Sequence, residues 1–405
     1  MIDSEAKKQY DHFLSLNVLL LKAGGSSGDQ HLLKRPLGLV TLAFLTVWSV
    51  GEWHQVIVNL KIDEEITVRG IGAIFSGYLA TTKGLSLIFQ AKQLREILLS
   101  LSVMWEDRYQ VEQNRTVMLT KAKKAYHMTI FYFITCMLMS AVFHLNPYKV
   151  LLEQYFESKT VNNAYNFTTI MPVKYPFDIN YVGNYIPVMI VEHAITVFFL
   201  IYLASTDTLF FQLLTHLCLH FKLLQYDLEY IIEQTTSTAV LDEQKCKVSL
   251  RLSKIVNRQN ELYLLCERVE KIFRPIFFAS MLVTSLTICL SLHQIQQMFA
   301  VGQFFEILGQ LSHGVVLLTE SAIYCGCSTM LSNETELLAI AAYNCPWLCF
   351  GKQICNQLKF LMLRSQKAFR FTANGFFRLD LPQLTTIVSA AATYFTLLNT
   401  LVKQK

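Results

Sequence analysis

The sequence predicts an all-α membrane protein with seven transmembrane helices, a cytosolic N-terminus and an extracellular C-terminus. The first observation is composition. Of 405 residues, 53% are hydrophobic and only 16% are charged, and the mean hydropathy is +0.35, whereas soluble domains carry about 25% charged residues. The second observation is that seven apolar segments approach the roughly 20 residues that a helix needs to cross a bilayer. They run over about 37–59, 66–90, 125–146, 183–205, 272–293, 301–329 and 378–401.

The third observation is the distribution of positive charge between the two sides of the predicted membrane. Of the 35 Lys and Arg residues, 25 lie in 1–36, 91–124, 206–271 and 330–377, and seven lie on the opposite side. Cytosolic loops are enriched in Lys and Arg, so the N-terminus is expected in the cytosol. G-protein-coupled receptors have the reverse orientation, which argues against a metabotropic receptor. The net charge of +5 is spread out, and no basic cluster suits nucleic acid.

Each predicted element follows from a local pattern, beginning with the N-terminal segment. Residues 1–36 read as a cytosolic segment with a short amphipathic helix and no signal-peptide cleavage pattern. The extracellular loop 147–182 carries Asn166 in an Asn-Phe-Thr sequon, a candidate glycosylation site.

No cysteine lies in a predicted external loop, so we expect no disulfide framework. Cys345, Cys349 and Cys355 have no histidines at metal-binding spacing, so we expect no metal site.

The longer cytosolic segments are predicted to be helical. In 206–271, one face carries Leu213, Leu217, Phe221, Leu224 and Leu228, and a second run carries Leu250, Ile255, Leu262, Leu265 and Val269. We therefore expect the fourth and fifth spanning helices to continue below the membrane and pack together. Residues 330–377 show a similar pattern. No linker or internal repeat divides the chain, so 1–405 is interpreted as one domain, and an inverted-repeat transporter is disfavoured.

The last helix carries a stripe of hydroxyl groups. Thr386, Ser389, Thr393, Thr396 and Thr400 lie on one helical face, beside Leu397 and Leu401. Such hydroxyls cost little in lipid because they bond to the backbone one turn back. They either mediate helix packing or line a pore in which leucines gate by dewetting. A pore would require several copies around an axis.

The C-terminal third of the chain resembles insect odorant receptors. The motifs that carry the resemblance cover about 80 residues: Tyr324-Cys325-Gly326-Cys327, Asn333-Glu334-Thr335-Glu336, Ala342-Tyr343 with Trp347, Leu361-Met362 with Arg364-Ser365-Gln366, Phe376-Phe377 and Thr393-Tyr394-Phe395-Thr396-Leu397-Leu398. Gustatory receptors, the alternative, end in Thr-Tyr, five apolar residues and Gln-Phe, where this chain has Thr400 and Leu401.

The resemblance implies an odorant-gated, nonselective cation channel in the plasma membrane of an olfactory neuron, assembled as a tetramer with a shared co-receptor subunit. It also implies a pore lined by the seventh helices. The candidate pore and gate residues are Thr393, Thr396, Leu397, Thr400 and Leu401. The co-receptor has a long insertion between its fourth and fifth spans. The segment 206–271 is too short for one, so this chain resembles a tuning subunit.

The resemblance further implies a pocket for a small volatile odorant in the outer half of the membrane, among helices two, three, four and six. By depth and face, the candidate ligand-binding residues are Phe75, Tyr78, Leu79, Met137, Ser140, His144, Val197, Ile201, Ser312, Val315 and Val316. The opposite face of helix two carries Gly70, Ala73, Gly77, Ala80 and Gly84, which favours close helix packing.

Five ionisable residues within the spans are further candidates: Glu192, His193, Glu306, His313 and Glu320. Glu306 and Glu320 are expected to form structural pairs, whereas His193 and His313 are candidate hydrogen-bond donors to an odorant. The sequence contains no GxSxG, HExxH, P-loop or Rossmann motif, so no enzymatic activity or cofactor is expected.

Overall fold

A computed structural model describes residues 2–26, 36–60, 64–158, 167–171, 173–236, 242–347 and 350–403. Helices make up almost all of these residues, and one short hairpin precedes the last helix. The elements in chain order are α1 (Ile2–Phe13), α2 (Ser15–Ala23), α3 (Pro36–Asn59), α4 (Glu64–Phe89), α5 (Ala91–Tyr109), α6 (Glu112–Ser158), α7 (Val182–Thr236), α8 (Asp242–Val301), α9 (Phe304–Tyr343), α10 (Lys352–Gln366), β1 (Thr372–Ala373), β2 (Phe377–Arg378) and α11 (Leu381–Lys403).

Six of the helices within the described ranges are long and apolar enough to cross a membrane: α3, α4, α6, α7, α8 and α9. They coincide with the first six predicted spans, and α11 corresponds to the seventh. The structure lengthens several of the predicted elements. Helix α8 runs to Val301, and the turn to α9 contains only Gly302 and Gln303, with Gly302 at a positive φ of 78° that suits glycine.

The largest hydrophobic core lies in the helical extensions that the sequence assigned to the cytosol. We call this region the anchor layer; it comprises 206–236 of α7, 242–277 of α8, 324–343 of α9, and the helices α1, α5 and α10. The predicted inward face of α7 is fully buried there, and so is most of the predicted face of α8. Leu250 is the exception. It is exposed near the start of α8, because the helix turns this side away from its neighbours.

The N-terminal helices are fastened to the anchor layer, as expected of an amphipathic segment. Tyr10 donates its hydroxyl to the carbonyl of Leu98 at 3.0 Å. Trp105 in α5 donates its indole N–H to the carbonyl of Ala6 at 3.1 Å. Asn17 of α2 donates to the hydroxyl of Thr208 in α7 at 3.0 Å. These contacts tie the start of the chain to α5 and α7.

The segment before α11 departs from the helical prediction for 330–377 and for 378–401. Residues 372–378 form an antiparallel hairpin with a three-residue connection, 374–376. Asn374 and Gly375 both have positive φ, a conformation that Asn and Gly adopt more readily than other residues. Phe371 is fully buried beside this hairpin, and the backbone N–H of Thr372 donates to Glu270 at 3.2 Å. Helix α11 then packs against α8 and α9.

Candidate functional site

A cavity of about 450 Å³ lies between the outer halves of α3, α4, α6, α7, α8 and α9. This volume falls within the range of small-molecule pockets. The apolar part of its wall includes Leu45, Trp48, Met139, Phe143, Ile195, Phe199, Leu290 and Phe305. Small residues of α4, namely Gly72, Ala73, Ser76 and Gly77, form one side and leave the space open.

The loop that precedes α7 closes the outer end of this cavity. Its residues 167–171 and 173 line the cavity. Glu192 of α7 is completely buried and holds this loop: it accepts the backbone N–H of Ile170 at 2.7 Å and the hydroxyl of Tyr175 at 2.5 Å. Tyr185 donates to the carbonyl of Thr168 at 3.0 Å. We call residues 167–175 the lid, excluding Pro172, which lies outside the described residues.

Several polar groups of the wall are paired with one another. Arg69 of α4 and Glu306 of α9 form an ion pair at 3.3 Å, so Glu306 has the structural partner expected of it. His313 lies 3.4 Å from the hydroxyl of Ser76. His144 lies 2.7 Å from the hydroxyl of Thr196. These contacts connect four helices around the cavity.

His193 does not line the cavity, although the sequence made it a candidate contact for an odorant. Its Nε2 lies 3.2 Å from the hydroxyl of Tyr148, and its ring packs against that of His144 with centroids 4.9 Å apart. It therefore supports the wall from behind.

The structure brings two of the eleven predicted ligand-binding residues to the cavity, Ser140 and His144. The other nine lie elsewhere. Phe75, Leu79 and Val316 pack in apolar clusters. Tyr78, Met137, Val197 and Val315 are exposed on the outer surface of the bundle, with Tyr78 at 54%. Ile201 lies beside Gly24, and Ser312 donates to the carbonyl of Gly309 in its own helix.

Four of these residues, Tyr78, Met137, Val197 and Val315, miss the cavity because their sides of the helices face outward, whereas Leu79 and Val316 are buried in apolar clusters outside the cavity. The wall uses the small-residue face of α4, which the sequence assigned to packing. At its ends this face does pack closely: a Cβ on Gly70 would stand 2.6 Å from Val56, and one on Gly84 would stand 2.9 Å from Leu42. Between those contacts, Ala73 and Gly77 line the cavity.

Sequence reasoning missed the contributions of α3, α8 and the lid. Glu52 and Gln55 of α3 and Thr287, Ser291 and Gln294 of α8 all line the cavity. The signal for Glu52 was present, because a carboxylate within an apolar helix is a functional candidate by default. No comparable signal marked the amides and hydroxyls of α8.

A cluster of buried charges lies below the cavity and joins five helices. Lys83 of α4 donates to Asp207 of α7 at 2.7 Å and lies 3.0 Å from Glu320 of α9, and all three side chains are fully buried. Asp207 also accepts the hydroxyls of Tyr132 at 2.7 Å and of Tyr324. Ser280 of α8 donates to Glu320 at 2.7 Å. Glu320 thus has the structural partner expected of it.

The candidate pore residues lie along an open side of α11. Thr393, Thr396 and Thr400 are exposed, and each donates its hydroxyl to a carbonyl of its own helix at 2.7 to 2.9 Å. Leu397 is 58% exposed. The side chain of Leu401 lies outside the described residues, as does Asn166. Within the described ranges, no group of three or more His, Cys, Asp or Glu residues is placed to hold a metal ion.

The chain is similar in sequence to a known protein family and to individual receptors. A family model described as "7tm Odorant receptor" matches residues 68–392. Odorant receptor 13a of Drosophila melanogaster is 30% identical over 212 residues, covering 49% of each protein. Odorant receptor 63a of the same organism is 21% identical over 318 residues, covering 78% of this chain and 73% of that protein. The alignments with Odorant receptors 13a and 47a span 49% and 57% of those relatives' own lengths.

A solved structure shares the fold along nearly the whole chain. It is the insect olfactory receptor OR5 from Machilis hrabei in complex with eugenol. The TM-score is 0.74 at 15% sequence identity, and the match covers 97% of this chain and 99% of the other. The fold is therefore the seven-helix fold of that receptor.

Proposed function

The chain belongs to the 7tm odorant receptor family, and from this premise we propose that it is an odorant-tuning subunit of a ligand-gated cation channel. The family consists of membrane receptors and not enzymes. The observation that carries the proposal is the cavity lined by six helices and covered at its outer end by the lid. It has the size and the mixture of apolar and polar groups that a small volatile ligand needs.

The proposed pore is formed by α11 in an assembly of four subunits with the co-receptor, in the lipid of the plasma membrane. Helix α11 leaves Val388, Tyr394 and Leu397 exposed in the single chain, as a helix that meets other subunits would. In this assembly Leu397 and Leu401 form the closed constriction, and the hydroxyls of Thr393, Thr396 and Thr400 face the permeating cations.

The connection between α7 and α8 supports a tuning subunit over the co-receptor. Helix α7 ends at Thr236 and α8 begins at Asp242, so only 237–241 separate them. These five residues are too few for the long insertion between the fourth and fifth spans that the resemblance associates with the co-receptor.

The test is whole-cell current in cells that express this chain alone or with an insect co-receptor, during application of a panel of small volatiles. We expect an odorant-evoked cation current only when both subunits are present. Leu397→Ala should give a standing current without odorant, because a smaller side chain widens the apolar constriction. Val388→Ala is the matched control, also exposed on α11 and away from the proposed gate. Surface expression with neither an odorant-evoked current nor a standing current in Leu397→Ala would contradict the channel function and favour a transporter or a metabotropic receptor.

A further inference from the structure

Glu52 is a buried carboxyl group in the wall of the cavity with no charged partner. It lies in the middle of α3, it is 2% exposed, and it lines the cavity. Among the described residues its Oε2 accepts no hydrogen bond and no Lys, Arg or His forms an ion pair with it. The other buried acids of the spans differ from Glu52 in having a hydrogen-bonding or charged partner on at least one oxygen, although within the described part of the chain Glu320 Oε2 is also unpartnered. Glu192 holds the lid, and Glu320 faces Lys83.

The groups near Glu52 add further hydrogen-bond acceptors that lack donors within the described protein. The side-chain carbonyl oxygens of Gln55 on the next turn of α3, of Asn146 on α6 and of Gln294 on α8 have no partner, and all three residues line the cavity. The cavity also contains the ring of Trp48, one turn before Glu52. Within the described ranges, the wall therefore presents four unpartnered acceptor oxygens, together with the unpartnered indole N–H of Trp48 and its aromatic face.

The charged groups of the wall also leave a negative charge without a partner. Among the described residues, Arg69 is the one Lys or Arg side chain that lines the cavity, and Glu306 pairs with it at 3.3 Å. The two histidines of the wall, His144 and His313, lie against the hydroxyls of Thr196 and Ser76 and not against Glu52. Glu52 is then left as an acid without a counter-ion. An isolated carboxylate is costly in a medium of low dielectric constant, whereas a carboxylate with a cation bonded to it is stabilised.

We propose that the cavity selects small amines, with Glu52 as the counter-ion of the ligand's ammonium group and the neighbouring amide oxygens as additional acceptors. The inference rests on the proposed function, because it takes the cavity to be the odorant site. Alkyl amines are protonated near neutral pH, as the side chain of lysine is. The ring of Trp48 adds an aromatic surface suited to a cation. Neutral ligands of the same shape form weaker bonds with this wall.

The experiment compares three ligands that share one skeleton: 2-phenylethylamine, 2-phenylethanol and ethylbenzene. Binding to the purified full-length protein in detergent is measured by calorimetric titration, and concentration–response curves are measured on cells expressing both subunits. We expect the amine to bind more tightly than the alcohol by roughly 10- to 100-fold, the difference that a hydrogen bond to a charged group provides. Ethylbenzene should bind most weakly.

Glu52→Gln removes the charge and keeps the shape of the side chain. We expect it to lower the affinity for the amine by roughly 10-fold or more and that for the alcohol by less than about 3-fold. Glu153→Gln is the matched control, since Glu153 is an exposed acid of α6 that pairs with Lys149 at 3.4 Å. It should change neither affinity.

Gly77→Ser provides a second variant that retains the acid. A Cβ at Gly77 would lie 3.4 Å from Glu52 Oε2, so the serine hydroxyl can donate to the carboxylate. We expect this neutral partner to weaken amine binding as well. Amine binding that depends on Glu52 but opens no channel would support this inference and contradict only the channel function. Equal affinity for amine and alcohol, or an unchanged amine preference in both variants, would overturn the inference.

Discussion

Replacing Lys83 by methionine should destabilise the whole receptor. The side chain keeps nearly the same length, but the two fully buried carboxyl groups of Asp207 and Glu320 lose the ammonium group that lies 2.7 and 3.0 Å from them. Removing one partner of a buried ion pair costs about 3 to 5 kcal/mol, because it leaves an uncompensated charge. Two acids depend on this one cation, so we expect the upper part of that range.

The assay is thermal unfolding of the detergent-solubilised receptor, followed by size-exclusion chromatography of a fluorescent fusion. For a chain of 405 residues, that loss corresponds to a midpoint lower by roughly 4 to 6 °C. Glu320→Gln should lower it by less than about 2 °C, because it leaves Lys83 and Asp207 as a balanced pair.

Lys149→Met is the control for loss of a lysine. Lys149 is 40% exposed and pairs with Glu153 at the surface, where an ion pair contributes at most about 1 kcal/mol. If Lys83→Met unfolds at the same temperature as the wild type and Lys149→Met, the cluster does not depend on its charge balance and the reasoning is wrong.

Three further predictions concern the anchor layer, the lid and the cavity wall. In the anchor layer, burial lowers the pKa of His216 to about 4, so the folded state binds fewer protons than the unfolded state below pH 6.5. His216 should therefore lower the stability by about 2 kcal/mol between pH 7 and pH 5, and His216→Phe should reduce that pH dependence in thermal unfolding. The contribution of the neighbouring His220, whose pKa burial also lowers, should remain. In the lid, Glu192→Gln should make odorant washout roughly 10-fold faster in patch recordings, because two charge-assisted bonds to the lid weaken; unchanged kinetics would contradict the lid. In the wall, Ala73→Phe should reduce odorant potency by roughly 10-fold or more by filling the cavity, whereas Tyr78→Ala, on the outer surface, should shift it by less than about 2-fold.

The fold could be predicted because its signals are local in the sequence. Each spanning helix must satisfy its own backbone in lipid, so apolar length alone located α3, α4, α6, α7, α8 and α9. Lysine and arginine counts oriented them. The leucine spacing of α7 predicted the buried face of the anchor layer, and all five of the leucine and phenylalanine residues on that face are buried. The family motifs of the C-terminal third were continuous short strings that needed no tertiary information.

The sequence identified the charged residues within the spans as candidates, but it did not identify their partners. The sequence marked Glu306 and Glu320 as paired acids, and Arg69 and Lys83 are separated from them by more than 230 residues. Such pairs form only when helices distant in sequence are packed side by side.

What the sequence alone determined is therefore the number and direction of the spanning helices and the family that the chain belongs to. What only the tertiary structure decided is which face of each helix meets the cavity. On α4 a single stripe of small residues has two roles. Gly70 and Gly84 contact α3 closely, and Ala73 and Gly77 between them line the cavity. Helical periodicity places these residues on one face, but which of them line the cavity depends on how α6, α7, α8 and α9 pack around α3 and α4.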